Sequence, residues 1–365
     1  MTLVELLRRK LVEDYKWLSG EEFSEGLSLA TLLPGPVAVN TLVFCGARLF
    51  GRTIALLGVA AVLMPSFVLM ILLTSAYQQL MASSGLKIVL MVLNGAVIGI
   101  LIAAGLTLLK KSCHSNWHYL IVVISFGVLI LSSSYLSMLL LLLSWIIIAQ
   151  RWGSYMTEHK SPPAKIDLRR NFILIAGVLV FTVLLGVGSH YFFLLDILKT
   201  FSGISLTFFG GGYVILPLLK AVLVEGRHWL TDSDVLLGIS MGQLSPGPIL
   251  ISSAFYGQKL AGINGAIAAT VGMFLPPAFL MVAVAGFARN LKSFILYRKA
   301  LDFIQPYVAA LVLFAGVSTG FTWYSNIPGY IIVIPLVATF FSYYVRIQPI
   351  WLLASSIIIG LLLTL

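Results

Sequence analysis

Charge is what this sequence has least of. Only 10% of its 365 residues are Asp, Glu, Lys or Arg, against 59% hydrophobic residues, and the mean hydropathy is +1.03. So few charges exclude a soluble globule, because the apolar surface exceeds what one could bury. Apolar runs repeatedly reach about 20 residues, the length that crosses a bilayer, and the chain reads as a polytopic membrane protein. Acidic residues are scarcer still, 13 against 23 basic, for a formal charge of +10. The Lys and Arg lie in short loops between apolar spans, where orientation bias accounts for them and nucleic-acid binding is excluded. Two cysteines, Cys45 and Cys113, far apart and without a CxxC spacing, exclude a disulfide framework and a thiol redox motif. Residues 1 to 25 hold no apolar stretch long enough for a signal-peptide core, so no cleavable leader is expected. There is no nucleotide-binding loop, HExxH, Ser/His/Asp grouping or pair of intramembrane carboxylates, which argues against an enzyme and against ATP-driven transport by this chain alone.

What is present is a repeat. The stretch from Trp17 to Gly51 returns from Trp229 to Gly262, and Pro34-Gly35-Pro36 returns as Pro246-Gly247-Pro248, at an offset of 212 residues. One residue is then deleted, and an offset of 211 pairs Gly46 with Gly257, Arg48 with Lys259, Pro65 with Pro276 and Gly105 with Gly316. The expected architecture is all-α, with two homologous repeats and about 12 membrane elements. Residues 1–150 form the first repeat, 151–170 a cytoplasmic linker, 171–200 an unpaired connecting helix, and 201–365 the second repeat. The apolar element Phe201 to Pro217 has no counterpart after Met1, so the first repeat is expected to be shortened.

Charge gives the orientation. Arg151, Lys160, Lys165, Arg169 and Arg170 place the linker in the cytoplasm, and Arg48, Arg52, Lys110, Lys111 and Arg346 then fall on the same side. The turns at 78–85, 132–134 and 322–327, free of Lys and Arg, fall outside. A single connecting crossing makes the second repeat enter the membrane inverted, an architecture of secondary transporters whose substrate site lies near the midplane.

The chemistry concentrates at the two Pro-Gly-Pro triplets. Pro34 and Pro246 bias Leu33 and Ser245 away from helix, and Pro36 and Pro248 suit the first turn of a new one, so each triplet breaks and restarts a helix. In hydrocarbon such a break survives only when buried in protein or lining a wet cavity. The amides of Ala38, Val39, Leu250 and Ile251 would then face that cavity with the positive helix end, an anion site in outline. Asn40 and Thr31 in the first copy, and Gln243, Ser245, Ser252 and Ser253 in the second, supply polar side chains. The competing reading is that Pro and Gly merely kink membrane helices; retention in both halves with polar neighbours favours function. Gly210, Gly211 and Gly212 offer consecutive amides for an anion or close helix packing. Arg48 and Lys259 steer charge toward the mouths or snorkel at helix ends. Cys113, His114 and His118 lack the spacing of a metal site, and no cofactor or metal is expected. Asp302, Glu25 and Asp196 stand at span edges as carboxylates for proton coupling or for the interface.

The pattern FFGGGYVILPLL, then WL with acidic residues, then PGP followed by YG or FCG, then LPPAF or MPSF, resembles the chromate ion transporter family in its long two-domain form. The resemblance covers both repeats, and the family's first FGG-containing element is missing here. It implies export of chromate from the bacterial cytoplasm across the inner membrane, driven by the proton motive force, with sulfate as the structural analogue. Gly210 to Gly212, Pro217, Pro34 to Pro36 and Pro246 to Pro248 are the matching positions. The partners it implies are a chromate-like or sulfate-like oxyanion and the lipid bilayer, and a homo-oligomer is allowed. A membrane-embedded enzyme or a non-transporting accessory protein is the alternative.

Overall fold

A computed structural model describes residues 3–80, 84–132, 134–152, 193–207, 215–285, 295–324, 331 and 333–363. Residues 153–170 of the linker, 171–192 of the connecting segment, Gly210 to Gly212 and the side chain of Asp302 lie outside these. Every described element is helical, as the composition requires, since only helices satisfy their own backbone groups in lipid.

The first repeat runs as α1 (Leu3–Arg8) with a π-helical turn (Arg9–Asp14), α2 (Gly20–Leu32), α3 (Val37–Leu49), α4 (Arg52–Leu80), α5 (Ser84–Ser112), α6 (Asn116–Leu131) and α7 (Tyr135–Trp152). After α8 (Phe193–Thr207) come α9 (Ile215–Leu219) with a π-helical turn (Lys220–Gly226), α10 (Asp232–Leu244), a 3-10 turn (Ile249–Ile251) and α11 (Ser252–Ala285). The chain ends with α12 (Ile295–Tyr324), α13 (Val333–Phe340) with a π-helical turn (Phe341–Val345), and α14 (Pro349–Leu362). The described residues of the apolar element Phe201 to Pro217 are helical, in α8 and at the start of α9, and α8 starts inside the segment assigned to the connector. Four helices among the described residues, α4, α5, α11 and α12, hold windows long and apolar enough to cross a membrane.

Three pairs of helix starts keep the sequence offset. Start positions of α1 and α9 and of α2 and α10 differ by 212, and those of α5 and α12 by 211. Local chemistry repeats too. Ser19 and Glu22 close a capping box on α2, the hydroxyl accepting the Glu22 amide at 3.1 Å and the carboxylate accepting the Ser19 amide at 3.0 Å. Thr231 and Asp234 do the same on α10, at 3.2 Å and 3.0 Å. Upstream of the two boxes, Lys16 and His228 both take a left-handed turn, φ 51° and 53°. After the triplets, Gly51 and Gly262 both have positive φ, 89° and 60°. Gly51 separates α3 from α4, and Gly262 bends α11 at the equivalent point.

Two compact units cut across the repeats. One comprises 1–71, 156–212 and 246–298, the other 72–155, 213–245 and 299–365, so each draws on both repeats. In the first, α8 lies along α11: Ser205 Oγ donates to the Gly272 carbonyl at 3.1 Å, and Phe201 stacks on Tyr256 with centroids 6.4 Å apart. Close approach is possible because a Cβ at Gly272 would meet the Leu198 carbonyl and Phe201. Small residues set helix spacing in lipid in this way, where water supplies no hydrophobic drive.

In the second unit α5 is the hub and most of its apolar window is buried. Gly99 seats α13, whose Thr339 Oγ1 donates to the Gly99 carbonyl at 3.1 Å, and Val89 receives Gly360 of α14. Gly105 faces Leu313 of α12 while Gly316 faces Ile102 of α5. Those four positions pair with one another at the 211 offset, so the α5–α12 crossing is reciprocal. Tyr307 Oη donates to the Met138 carbonyl at 2.7 Å and ties α12 to α7.

Candidate functional site

Both helix breaks form where the prolines place them. Leu33 (ψ 151°) ends α2 and Ser245 (ψ 148°) ends α10, each extended as the residue before proline should be. Pro36 and Pro248 stand one position earlier than expected: they are N-caps, with ψ 110° and 139°, not first-turn residues. Their extended ψ keeps them out of the helix, which starts at Val37 and at Ile249.

The two breaks then differ. Pro34, Gly35 and Pro36 are buried and Gly35 takes φ +102°, open to glycine alone at low cost. Pro246 and Gly247 are exposed, and Gly247 is not among the positive-φ glycines. After Pro36, α3 is regular at once, its first intrahelical bond running from the Asn40 amide to the Pro36 carbonyl at 2.9 Å, so the amides of Val37, Ala38 and Val39 lie ahead of the ladder. After Pro248 the chain tightens into a 3-10 turn and the Ile251 amide donates to the Pro248 carbonyl at 2.9 Å. Ile251, expected as an anion donor, is therefore used within the turn, and Ile249 and Leu250 lead it instead.

Each break rests on a proline-marked helix of the other repeat. A Cβ at Gly35 would collide with Pro277 of α11, and one at Gly247 with the Ser66 hydroxyl of α4. Gly35 and Gly247 are equivalent at 212, Ser66 and Pro277 at 211, so this contact is reciprocal as well. All four residues belong to the first unit.

Buried polar atoms without a partner occur in both units, Thr200 and Thr270 in the first and Asn94 and Thr319 in the second among them, and three more lie on the helices that carry or support the breaks. Asn40 is fully buried; its Nδ2 donates to the Pro34 carbonyl at 3.0 Å, folding the amide back over the break, while its Oδ1 has no partner. Ser66 Oγ and Ser253 Oγ are likewise buried and unpartnered. A buried polar group without a partner costs about 1–3 kcal/mol, so each of these atoms could take a polar ligand at a gain. Glu25, half-buried on α2, keeps one carboxylate oxygen buried without a hydrogen-bond partner.

Ser245 Oγ donates its proton to the Gly242 carbonyl at 2.9 Å, so it has none to offer an anion. Ser245 and Gln243 belong to the second unit, unlike Ser252, which is buried in the first. Arg48 does not present an unmet charge: its guanidinium lies 3.6 Å from Glu22. Lys259 is exposed just before the α11 bend. His118 Nδ1 accepts the His114 amide at 3.1 Å and shapes the loop, and among the described residues no three His, Cys, Asp or Glu converge as metal ligands. Sequence reasoning missed Ser66 and Pro277; the signal was the pairing of Pro65 with Pro276, which puts both next to repeated kinks.

The chromate transporter family model matches residues 1–149 and 195–361. A chromate transport protein of Cupriavidus metallidurans is 29% identical over 282 residues, 76% of this chain and 67% of that protein. A probable chromate transport protein of Synechococcus elongatus is 28% identical, covering 80% of this chain and 72% of its own length. A chromate transport protein of Pseudomonas aeruginosa is 26% identical over 87% of this chain and 75% of its own length. No solved structure matches. With most of the chain matched and four apolar helices inside the matched stretches, this multi-pass membrane protein belongs to the chromate transporter family.

Proposed function

We propose that the chain is a secondary transporter that exports chromate, or an oxyanion of the same shape, across the bacterial cytoplasmic membrane under the proton motive force. The observation that carries this is the pair of broken helices, each seated on the other repeat, with Asn40 Oδ1, Ser66 Oγ and Ser253 Oγ buried and unpartnered in the same unit. Helix breaks put amides and a positive dipole end at membrane depth without any charged side chain, which suits an anion that has to be released again. Val37 to Val39 offer amides at the first break, and Ile249 and Leu250 at the second, where the Ser66 hydroxyl lies against Gly247.

Inverted topology belongs to the same reading. Reciprocal contacts, Gly35 on Pro277 with Gly247 on Ser66 and Gly105 on Leu313 with Gly316 on Ile102, are what a two-fold relation between repeats produces. The unlike states of the two breaks, one buried with a left-handed glycine and one exposed with a 3-10 turn, are what one end state of an alternating-access cycle would hold.

Inverted membrane vesicles containing the chain should accumulate chromate without ATP, lose that accumulation when a protonophore collapses the gradient, and be inhibited by excess sulfate. Accumulation no greater than in vesicles lacking the chain would overturn transport. Accumulation surviving the protonophore would overturn the coupling.

A further inference from the structure

We propose that the first break takes its oxyanion in a protonated form, with Asn40 Oδ1 accepting the ligand's O–H; this rests on the oxyanion site just proposed. The orientation of the Asn40 amide is fixed by chemistry. Its neighbour at 3.0 Å is the carbonyl of Pro34, an acceptor, so the group facing it must be the Nδ2 donor and the other end must be the oxygen. That oxygen is buried and has no protein partner. Asn40 is the fourth residue of α3, and side chains lean toward a helix N-terminus, so its amide shares the space ahead of the Val37, Ala38 and Val39 amides.

The site therefore offers donors and one acceptor. A fully deprotonated tetrahedral dianion has only acceptor oxygens: it would satisfy the amides but set a charged oxygen against Asn40 Oδ1. A hydrogen oxyanion satisfies both at once, accepting from the amides through its bare oxygens and donating its single proton to Oδ1. The difference is large in principle, because a buried acceptor left unpaired penalises the ligand that lacks the hydroxyl. The second break carries no such filter, since Ser252 and Ser253 hydroxyls can donate or accept. A carried proton also moves one charge equivalent with the substrate and needs no carboxylate at the binding position.

Near neutral pH, phosphate and arsenate always retain an O–H, whereas sulfate and selenate, of the same shape, have none. The purified full-length chain in lipid nanodiscs is loaded with chromate and challenged with each of the four at one fixed pH, so protein titration is the same in every arm. Phosphate and arsenate should displace chromate at concentrations at least about tenfold lower than sulfate and selenate, and Asn40→Leu should bring the two pairs within about twofold of each other. Asn40→Ala serves the same purpose should the leucine variant not fold. Equal competition by sulfate and phosphate in the unmodified protein would overturn the proposal, as would discrimination that persists in a folded Asn40 variant. Absence of any oxyanion binding to the unmodified protein would instead remove the oxyanion site itself, and this inference with it.

Discussion

Gly35 lies so close to Pro277 that no side chain fits between them, and its φ of +102° is closed to ordinary L-residues. The equivalent Gly247 faces a serine hydroxyl instead of a proline ring and keeps an ordinary φ. Gly35→Ala should therefore be the more damaging change. Overpacking against a rigid ring costs about 1–3 kcal/mol, and left-handed geometry adds about 1–2 kcal/mol. Gly247→Ala should cost less, and Ser66→Gly should restore part of what it loses, because the obstructing atom is then gone. Melting temperatures of the purified single and double variants check this; equal losses at 35 and 247 with no rescue would contradict the reciprocal contact.

Much of this architecture was legible in the sequence because repetition is a strong signal: two triplets at one offset, flanked by paired Trp and Gly, located both breaks and the register of the helices. Proline chemistry predicted the extended Leu33 and Ser245. What could not be read was the partner across the break. That Pro277 and Ser66 support the glycines depends on tertiary packing, and the i−3 bonding that uses the Ile251 amide depends on the chain tightening after Pro248. Arg48 looked like a steering charge because its acceptor, Glu22, lies 26 positions earlier on a neighbouring helix. Nor do the compact units follow the repeats, since packing groups α3, α8 and α11 regardless of descent.

The paired capping boxes supply a second prediction. Ser19→Ala and Thr231→Ala should each lower stability by about 1 kcal/mol, the usual worth of an N-cap. In the first box, the Ser19 amide donating to Glu22 holds that carboxyl below the usual carboxylate range, helped by Arg48. The contribution is complete above the ordinary glutamate pKa and lost as pH falls through the lowered folded-state value. Melting temperature followed from neutral to acid pH should thus fall less steeply in Glu22→Gln than in the unmodified protein.

Orientation can be read by thiol labelling without first removing the native cysteines. Cys45 and Cys113 are both buried, and burial pushes the Cys113 thiol up, so little reactive thiolate is present. Cysteines introduced at Ser133 and Ser325 should react with an impermeant maleimide from outside intact cells, whereas those within 160–166 or 290–297 should react only after the inner face is opened. Labelling of Ser133 and the linker from one side would contradict the inverted arrangement.

The sharpest separation of site from scaffold comes from the cap prolines. Pro36 is buried beside a glycine locked at positive φ and a second proline, so Pro36→Ala leaves the first break open and mainly loses packing. Pro248 has no left-handed glycine before it, so Pro248→Ala restores an N–H where the chain is already tightening and lets the turn extend as helix, withdrawing Ile249 and Leu250 amides. A lost hydrogen bond to a charged ligand is worth about 1.5–3 kcal/mol, so Pro248→Ala should weaken oxyanion binding roughly ten- to a hundredfold with a small change in melting temperature. Pro36→Ala should show the opposite pattern, a lower melting temperature with affinity nearly kept. Ser252→Ala should weaken binding less than Pro248→Ala, since backbone donors remain. If the triplets served packing alone, both proline variants would lose stability and the folded fraction of each would bind oxyanion as the unmodified protein does, and affinity measured beside melting temperature on the same samples distinguishes the two.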